Sequence, residues 1–168
     1  MKLLSSLALL ATAVTANPIL ARHDASKPFH LKTASASNQD HNGLYVCAYH
    51  TGAGLNDAVL TQDEGKASPA VLNGSTTQFQ LSELQWGLLM PAVTNYAAWT
   101  PVRINAGMAS EGFVIKDHQL VWSRDAFAGW LVCDWYHNAP QLFYLYSYMK
   151  PEIPSSCSTV DLRVEYTQ

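Results

Sequence analysis

The chain has 168 residues, a formal net charge of −3, and charged side chains at 14% of its positions. So weak a net charge gives no electrostatic reason to expect nucleic acid or an anionic membrane surface as a partner. The charged fraction lies well below the roughly 25% that is usual for soluble domains. Solubility must therefore depend mainly on neutral polar side chains.

The first sixteen residues have the pattern of a secretory signal peptide. Met1 and Lys2 form a short positive region, residues 3–14 are mostly apolar, and residues 14–16 place small side chains before a cleavage point. This apolar run is too short for a membrane-spanning helix, which takes about 20 residues. We predict cleavage after Ala16, a secreted location (extracellular or cell wall), and no membrane contact in the mature form.

Removal of residues 1–16 leaves 152 of the 168 residues, enough for one domain with its own core. Residues 17–28 lack periodicity, which predicts a flexible leader. Helical periodicity is scarce beyond that point. Leu81–Leu89 is the one candidate for a helical turn, and Gly87 and Pro91 weaken it. We predict that residues 29–168 form a single all-β domain.

Short runs of β-branched, aromatic and aliphatic residues, separated by turn residues, predict strands throughout the mature chain. The predicted strands are Phe29–Lys32, Leu44–Tyr49, Ala58–Leu60, Ala70–Leu72, Phe79–Leu81, Trp86–Met90, Val102–Ile104, Phe113–Ile115, Leu120–Trp122, Trp130–Cys133, Leu142–Tyr148 and Val160–Tyr166. The densest aromatic cluster lies in Gly129–Tyr148, which predicts a central hairpin with its turn at His137–Pro140.

Two segments of the chain resemble each other. They are Phe79–Trp86 and Phe113–Trp122. Each begins with an aromatic residue followed two positions later by an aliphatic one, continues through a turn with an acidic residue, and ends with Leu, any residue and Trp. Many short strands with Gly and Pro between them are typical of a sandwich or a barrel. The internal similarity favours a compact β-trefoil-like barrel. A two-sheet antiparallel β-sandwich is the alternative.

The three cysteines predict one disulfide. Cys133 ends an apolar strand, and Cys157 lies in a Pro- and Ser-rich segment with little apolar content to hold it in place. A bond between them would fix the register of the last strand, so we predict Cys133–Cys157 and a reduced, buried Cys47. Asn73-Gly74-Ser75 is an N-glycosylation motif, and we predict a sugar on Asn73.

The C-terminal half carries a pattern that resembles a known group of proteins. Its positions are Gly112-Phe113, Ile115, Leu120, Phe127, Cys133, Gln141-Leu142-Phe143, Leu145-Tyr146, Cys157, Val160, Leu162 and Val164. The pattern is similar to secreted fungal cell-wall proteins, including the phialide-development cell-wall protein and, more distantly, the C-terminal domain of cell-wall proteins with internal repeats. The mature chain as a whole, including residues 50–56, looks like a small secreted fungal family of unknown function. The resemblance implies a wall-associated protein. The internal-repeat proteins attach to glucan through Gln-rich repeats, which this sequence lacks, so covalent attachment by that route is not implied.

The sequence gives no clear catalytic or metal-binding motif. Asp134 and His137 are three residues apart at the predicted hairpin tip, where they could form an acid/base pair or half of a metal site. A zinc site needs three or four ligands, and no second cluster is evident. Residues 52–54 form a Gly-rich loop between His50 and Asp57, but it lacks the Lys-Ser/Thr ending of a phosphate loop and is predicted to be a β-turn. We therefore predict no catalytic residue, no metal and no cofactor.

A glycoside hydrolase is the least favoured hypothesis. Glu83 and Asp117 occupy equivalent turns of the two similar segments, and a glycosidase needs two carboxyl groups about 5–10 Å apart across a sugar. Acidic residues are common in turns because they form local hydrogen bonds. We expect a structural role for both.

The aromatic content suggests a binding role instead. The chain has 5 Trp and 8 Tyr, and flat aromatic faces stack on sugar rings. Core packing is the plainer explanation for most of them. The candidate ligand-binding residues are Trp122, Asp134, Trp135, Tyr136 and His137, with Tyr148 as a further aromatic face. We expect a non-enzymatic protein whose possible partner is cell-wall polysaccharide, and a carbohydrate-binding module is the alternative function.

Overall fold

The computed structural model describes residues 27–92, 98–135 and 137–167. The predicted signal peptide and most of the predicted leader lie outside the described residues. Within these ranges there are thirteen strands: β1 Phe29–Ala34, β2 Tyr45–Gly52, β3 Leu55–Thr61, β4 Ala70–Asn73, β5 Thr76–Phe79, β6 Trp86–Leu89, β7 Trp99–Pro101, β8 Arg103–Ala106, β9 Phe113–Lys116, β10 Gln119–Trp122, β11 Phe127–Asp134, β12 Pro140–Tyr146 and β13 Cys157–Tyr166. Two 3₁₀ turns, Gln39–His41 and Glu64–Lys66, complete the regular structure of the described chain. No helix in the described ranges could span a membrane.

Nine of the strands close into an antiparallel barrel. The order around it is β1, β4, β5, β6, β8, β3, β12, β11 and β13, and β13 pairs again with β1. Strand β2 pairs with both β1 and β3, β10 and β9 continue outward from β13, and β7 pairs with β12. Closure gives the strand edges of the barrel hydrogen-bonding partners. The predicted all-β, barrel-like fold is confirmed.

The central hairpin, β11 and β12, is apolar at almost every position because both of its faces are covered. Leu142, Tyr144 and Tyr146 belong to the main core inside the barrel. The alternate residues Phe143 and Leu145 belong to a second apolar cluster that also contains both disulfide cysteines, with Trp99 and Ile153 packed against it. A strand that is buried on both faces loses the usual alternation of apolar and polar residues.

The two similar segments form equivalent pairings. Phe79 is paired with Trp86 between β5 and β6, and Phe113 is paired with Trp122 between β9 and β10. Asp117 has a φ of 50° and the residue after it a φ of 60°, which gives β9 and β10 the tight two-residue turn that suits the twist of a hairpin. The other pair is joined by a longer loop, so the similarity lies in the strand ends and not in the turns.

The predicted disulfide is present. Cys133 and Cys157 are directly paired residues on the antiparallel strands β11 and β13, with their Cα atoms 4.0 Å apart. On β13, the alternate residues Val160, Leu162 and Val164 are buried, as the predicted register requires. Cys47 is unpaired as predicted, but it is only half-buried. Burial raises the pKa of its thiol above the usual value.

The observed strands differ from the predicted ones at two places, β7 and β5. Strand β7 was not predicted because it has three residues and ends in a proline. The strand placed at Phe79–Leu81 is instead β5, Thr76–Phe79, whose polar residues concealed it. The helical turn considered at Leu81–Leu89 is absent: β6 occupies the end of that segment, and irregular loop precedes it.

Candidate functional site

The turn between β11 and β12, called here the hairpin tip (residues 134, 135 and 137–140), is attached to the rest of the fold by two histidine–aspartate pairs. His137 Nε2 lies 2.8 Å from Asp57 Oδ2 on β3, and both side chains are largely buried, at 7% and 14% exposure. The His137 ring also packs on Tyr49 of β2, with 4.2 Å between ring centroids. These contacts hold the hairpin tip against the β2–β3 hairpin.

The second pair attaches Asp134 to the 3₁₀ turn before β2. His41 Nε2 lies 3.2 Å from Asp134 Oδ1, and His41 Nδ1 lies 3.1 Å from the Ser158 hydroxyl on β13. The Asn38 backbone N–H donates to the same hydroxyl. Asp134 and His137, proposed from the sequence as one acid/base pair, therefore have different partners in the structure.

The resulting Ser158–His41–Asp134 chain has the residue types of a serine hydrolase triad but not its accessibility. Ser158 and His41 are each about 1% exposed, so a substrate could not reach the hydroxyl. A triad serine also has to present its oxygen to a reacting carbonyl beside an oxyanion site. Here the hydroxyl is engaged by His41 and Asn38. The chain joins three elements and is structural.

A shallow cleft of about 290 Å³, called here the tip cleft, is lined by Asp134, Trp135, Asn138, Ala139 and Pro140. Trp135 is 50% exposed. Its ring stands edge-on to Phe143, at 5.7 Å between centroids and 78° between planes. This contact orients the indole at the rim of the cleft. Asn138 adopts a positive φ of 54° at the turn, a conformation that asparagine tolerates better than most residues.

The other aromatic candidates are placed differently. Trp122 packs edge-on to Tyr144, with 5.5 Å between ring centroids, and its indole N–H donates to the Glu111 carbonyl at 2.8 Å. It packs against the core and does not line the tip cleft. Tyr148 is 65% exposed and lies at the opposite end of the hairpin from the tip. Tyr136 lies outside the described residues.

A second cleft, of about 260 Å³, lies beside Asp57. This β2–β3 cleft is lined by Thr51, Leu55, Asn56, Asp57, Arg103 and Asn105. Asp57 was noted in the sequence only as a flank of the Gly-rich loop, and Arg103 and Asn105 were missed. The charged Arg103 inside the predicted strand Val102–Ile104, with the polar Asn105 two residues later, was the one sequence feature that could have pointed to them.

The remaining sequence candidates do not assemble into a site. Glu83 and Asp117 are both exposed in their hairpin connections, and neither lines the tip cleft or the β2–β3 cleft. Among the described residues, no group of three or more His, Cys, Asp or Glu side chains could hold a metal ion. Asn73 is exposed where β4 turns into β5, and Gly74 takes a φ of 60° there. That position would leave room for an attached sugar.

Comparison with known proteins gives a family but no activity. No curated protein and no solved structure matches the chain. One family model, described as a domain of unknown function (DUF7907), matches residues 26–166, a range that contains every strand of the barrel. The chain therefore belongs to the DUF7907 family.

Proposed function

We propose that this protein is secreted, acts without catalysis in the extracellular space or cell wall, and binds polysaccharide at the tip cleft. The signal-peptide pattern of residues 1–16 supports secretion. The Cys133–Cys157 bond supports it independently, because structural disulfides persist in oxidising compartments and are rare in the cytosol. The resemblance to fungal wall proteins supports a place in or near the wall, with Asn73 glycosylated on the secretory route.

The orientation of Trp135 is the observation that carries the proposed binding. Its ring is held by Phe143 while half of the side chain stays exposed. An indole of this kind offers a flat apolar surface to a sugar ring, and its immobilisation lowers the entropy cost of binding. Asp134 and Asn138 line the same cleft and can bond to sugar hydroxyls.

The carboxylates support binding over hydrolysis. A glycosidase needs two carboxyl groups that face one another across the bond to be cut. Among the described residues, the tip cleft is lined by one carboxylate, that of Asp134. The β2–β3 cleft is likewise lined by one, that of Asp57. Each is hydrogen-bonded to a histidine that ties the hairpin tip to a neighbouring element.

Replacement of Trp135 by alanine tests the binding proposal. We expect the mature protein to co-sediment with insoluble cell-wall glucan or chitin, and Trp135→Ala to weaken this binding about tenfold, since truncating a central aromatic contact typically costs more than about 1 kcal/mol. Tyr148→Ala is the matched control, because Tyr148 is an exposed aromatic at the opposite end of the hairpin. Equal loss in both variants, full binding by Trp135→Ala, or no binding by the parent protein would contradict the proposal.

Fractionation of the producing cells tests the location. We expect the protein in the culture medium and wall fractions, with its N-terminus at Asn17 after removal of residues 1–16. An internal deletion of Leu7–Leu10 should retain it inside the cell, since it removes much of the apolar region. Recovery of the full-length parent only from the cytosol would refute the proposed secretion.

A further inference from the structure

The β2–β3 cleft has a polar lining that the proposed binding at the tip cleft does not use. Asp57 on β3 is directly paired with Arg103 on β8, so their side chains lie side by side on one surface. Asn105 lies two residues beyond Arg103 on the same strand, and Asn56 precedes Asp57. The volume of about 260 Å³ lies below the usual range for drug-sized ligands, so it suits a small molecule or a single residue of a polymer.

Two asparagines in this cleft are fixed and buried. The Asn56 backbone N–H donates to Asn105 Oδ1 at 3.2 Å, and Asn56 Nδ2 donates to the Ile104 carbonyl at 2.9 Å. Asn56 is 5% exposed and Asn105 is 3% exposed. The Nδ2 group of Asn105 makes no hydrogen bond to any described residue. Since Asn105 lines the cleft, this donor is available to an acceptor that enters it.

Arg103 supplies a positive charge to this cleft, opposite Asp57 on the neighbouring strand. It is exposed, and within residues 27–92, 98–135 and 137–167 it has no ion pair and no side-chain hydrogen bond. A guanidinium binds a carboxylate through two parallel hydrogen bonds, which gives both strength and direction. Arg103 and the Asn105 donor together suit a carboxylate ligand.

Asp57 adds a requirement for a hydroxyl group. Its Oδ2 is bonded to His137, while its Oδ1 has no hydrogen-bond partner in the described part of the chain and can accept from a ligand O–H. Its negative charge also disfavours a bare anion, because two like charges repel at short range. A ligand that carries both a carboxylate and hydroxyls satisfies Arg103, Asn105 and Asp57 together.

We propose that the β2–β3 cleft binds a sugar that carries a carboxylate, that is, a uronic acid, free or as a residue of an acidic polysaccharide. Arg103 and Asn105 hold the carboxylate, and Asp57 accepts a hydrogen bond from a ring hydroxyl. The exposed Leu55 contributes an apolar edge against the sugar ring. This site does not depend on Trp135 or on the binding proposed at the tip cleft.

Titration of the mature protein with glucuronate, glucose and acetate, followed by NMR shifts of the backbone amides, tests the proposal. Glucuronate and glucose differ only at the carboxylate carbon, and acetate has the carboxylate without the hydroxyls. We expect glucuronate to shift the amides of β3 and β8 and to bind at least tenfold more tightly than glucose or acetate. Its affinity should fall as the salt concentration rises.

Two variants locate the site. Arg103→Gln should weaken glucuronate binding about tenfold and leave the weak glucose response unchanged. Asn105→Asp keeps an oxygen for the Asn56 N–H but replaces the donor with a negative charge, so it should abolish glucuronate binding. Arg163→Gln is the charge-matched control, since Arg163 is an exposed residue of β13 outside both clefts.

Three results would overturn the proposal. The first is that glucuronate does not shift the amide signals of β3 and β8, and the second is that glucuronate and glucose bind with equal affinity. The third is that Arg103→Gln and Arg163→Gln lower the affinity for glucuronate equally. Acetate binding as tight as glucuronate binding would refute the role given to Asp57. Trp135→Ala should keep full glucuronate affinity at this cleft, so failure of polysaccharide binding at the tip cleft can be told apart from failure here.

Discussion

At the scale of single residues, Gly87 shows how closely two segments of backbone approach each other. Gly87 lies on β6, and the segment that follows β8 crosses directly over it. A Cβ atom at position 87 would lie 2.0 Å from the Met108 carbonyl oxygen and 2.5 Å from the Ala109 side chain. Contacts this short involve backbone atoms that cannot simply rotate away. The crossing is also fixed by a hydrogen bond from the Ser110 N–H to the Leu88 carbonyl, at 2.9 Å.

We therefore expect Gly87→Ala to lower the free energy of unfolding by about 1–3 kcal/mol, the usual cost of overpacking a well-packed site. Urea denaturation followed by tryptophan fluorescence measures the change. Gly52→Ala is the control, because a Cβ there would meet Leu55 at an ordinary distance of 3.6 Å and Gly52 has no positive φ. A stability of Gly87→Ala equal to that of Gly52→Ala would show that the crossing is looser than the structure indicates.

The sequence could not give the partners of the two histidines at the candidate site. The sequence placed Asp134 and His137 together because they are neighbours in the chain. In the fold, His137 bonds to a residue 80 positions away and His41 to one 93 positions away. No local pattern reports pairings over such separations. Trp135 was predicted on a different ground, the chain's content of 5 Trp and 8 Tyr, and not on any local pattern.

At the scale of the elements, prediction succeeded where a strand carries its own pattern. Strand β10 has Leu120 facing the core, Trp122 at its end and a turn before it, and its predicted range, Leu120–Trp122, is within one residue of the observed one. Strand β7 shows the opposite case, because its three residues make a strand only through pairing with β12. The apolar face of a strand can be predicted from the strand's own residues, whereas the strands that pair with it in the barrel cannot.

The structural role of the 3₁₀ turn at Gln39–His41 can be recognised only in the folded chain. No element was predicted there from the sequence, yet His41 is almost completely buried. It contacts Ser158 of β13 and Asp134 of the hairpin tip, and so bridges the last strand and the central hairpin. Both clefts therefore lie beside a hairpin tip that is fixed on two sides, by His41 and by Asp57. These two attachments suit recognition, because they reduce the conformational freedom to be lost on binding.

At the scale of the whole molecule, barrel closure depends on the two ends of the folded chain. Strand β1 and strand β13 pair along six consecutive positions, from Phe29 opposite Tyr166 to Ala34 opposite Asp161. The sequence predicted both strands but gave no reason to place them together. On its other side, β13 pairs with β11, so it joins the central hairpin to β1. Anything that holds β13 in register therefore affects the entire barrel.

The Cys133–Cys157 bond is such a constraint, and it yields a prediction for the whole fold. The cysteines are separated by 24 positions, and a crosslink over that length stabilises a fold by about 3–4 kcal/mol in the chain-entropy model. We expect the double variant Cys133→Ala/Cys157→Ala to lose a comparable free energy of unfolding, measured by urea denaturation without reductant. Cys47→Ala, which removes the unpaired thiol, should have a much smaller effect. In the presence of dithiothreitol the parent and the double variant should become nearly equal in stability, because the parent then loses the same crosslink. If the difference persisted in full under reduction, the loss would come from packing at the two positions, and the bond would not be what holds β13 against the central hairpin.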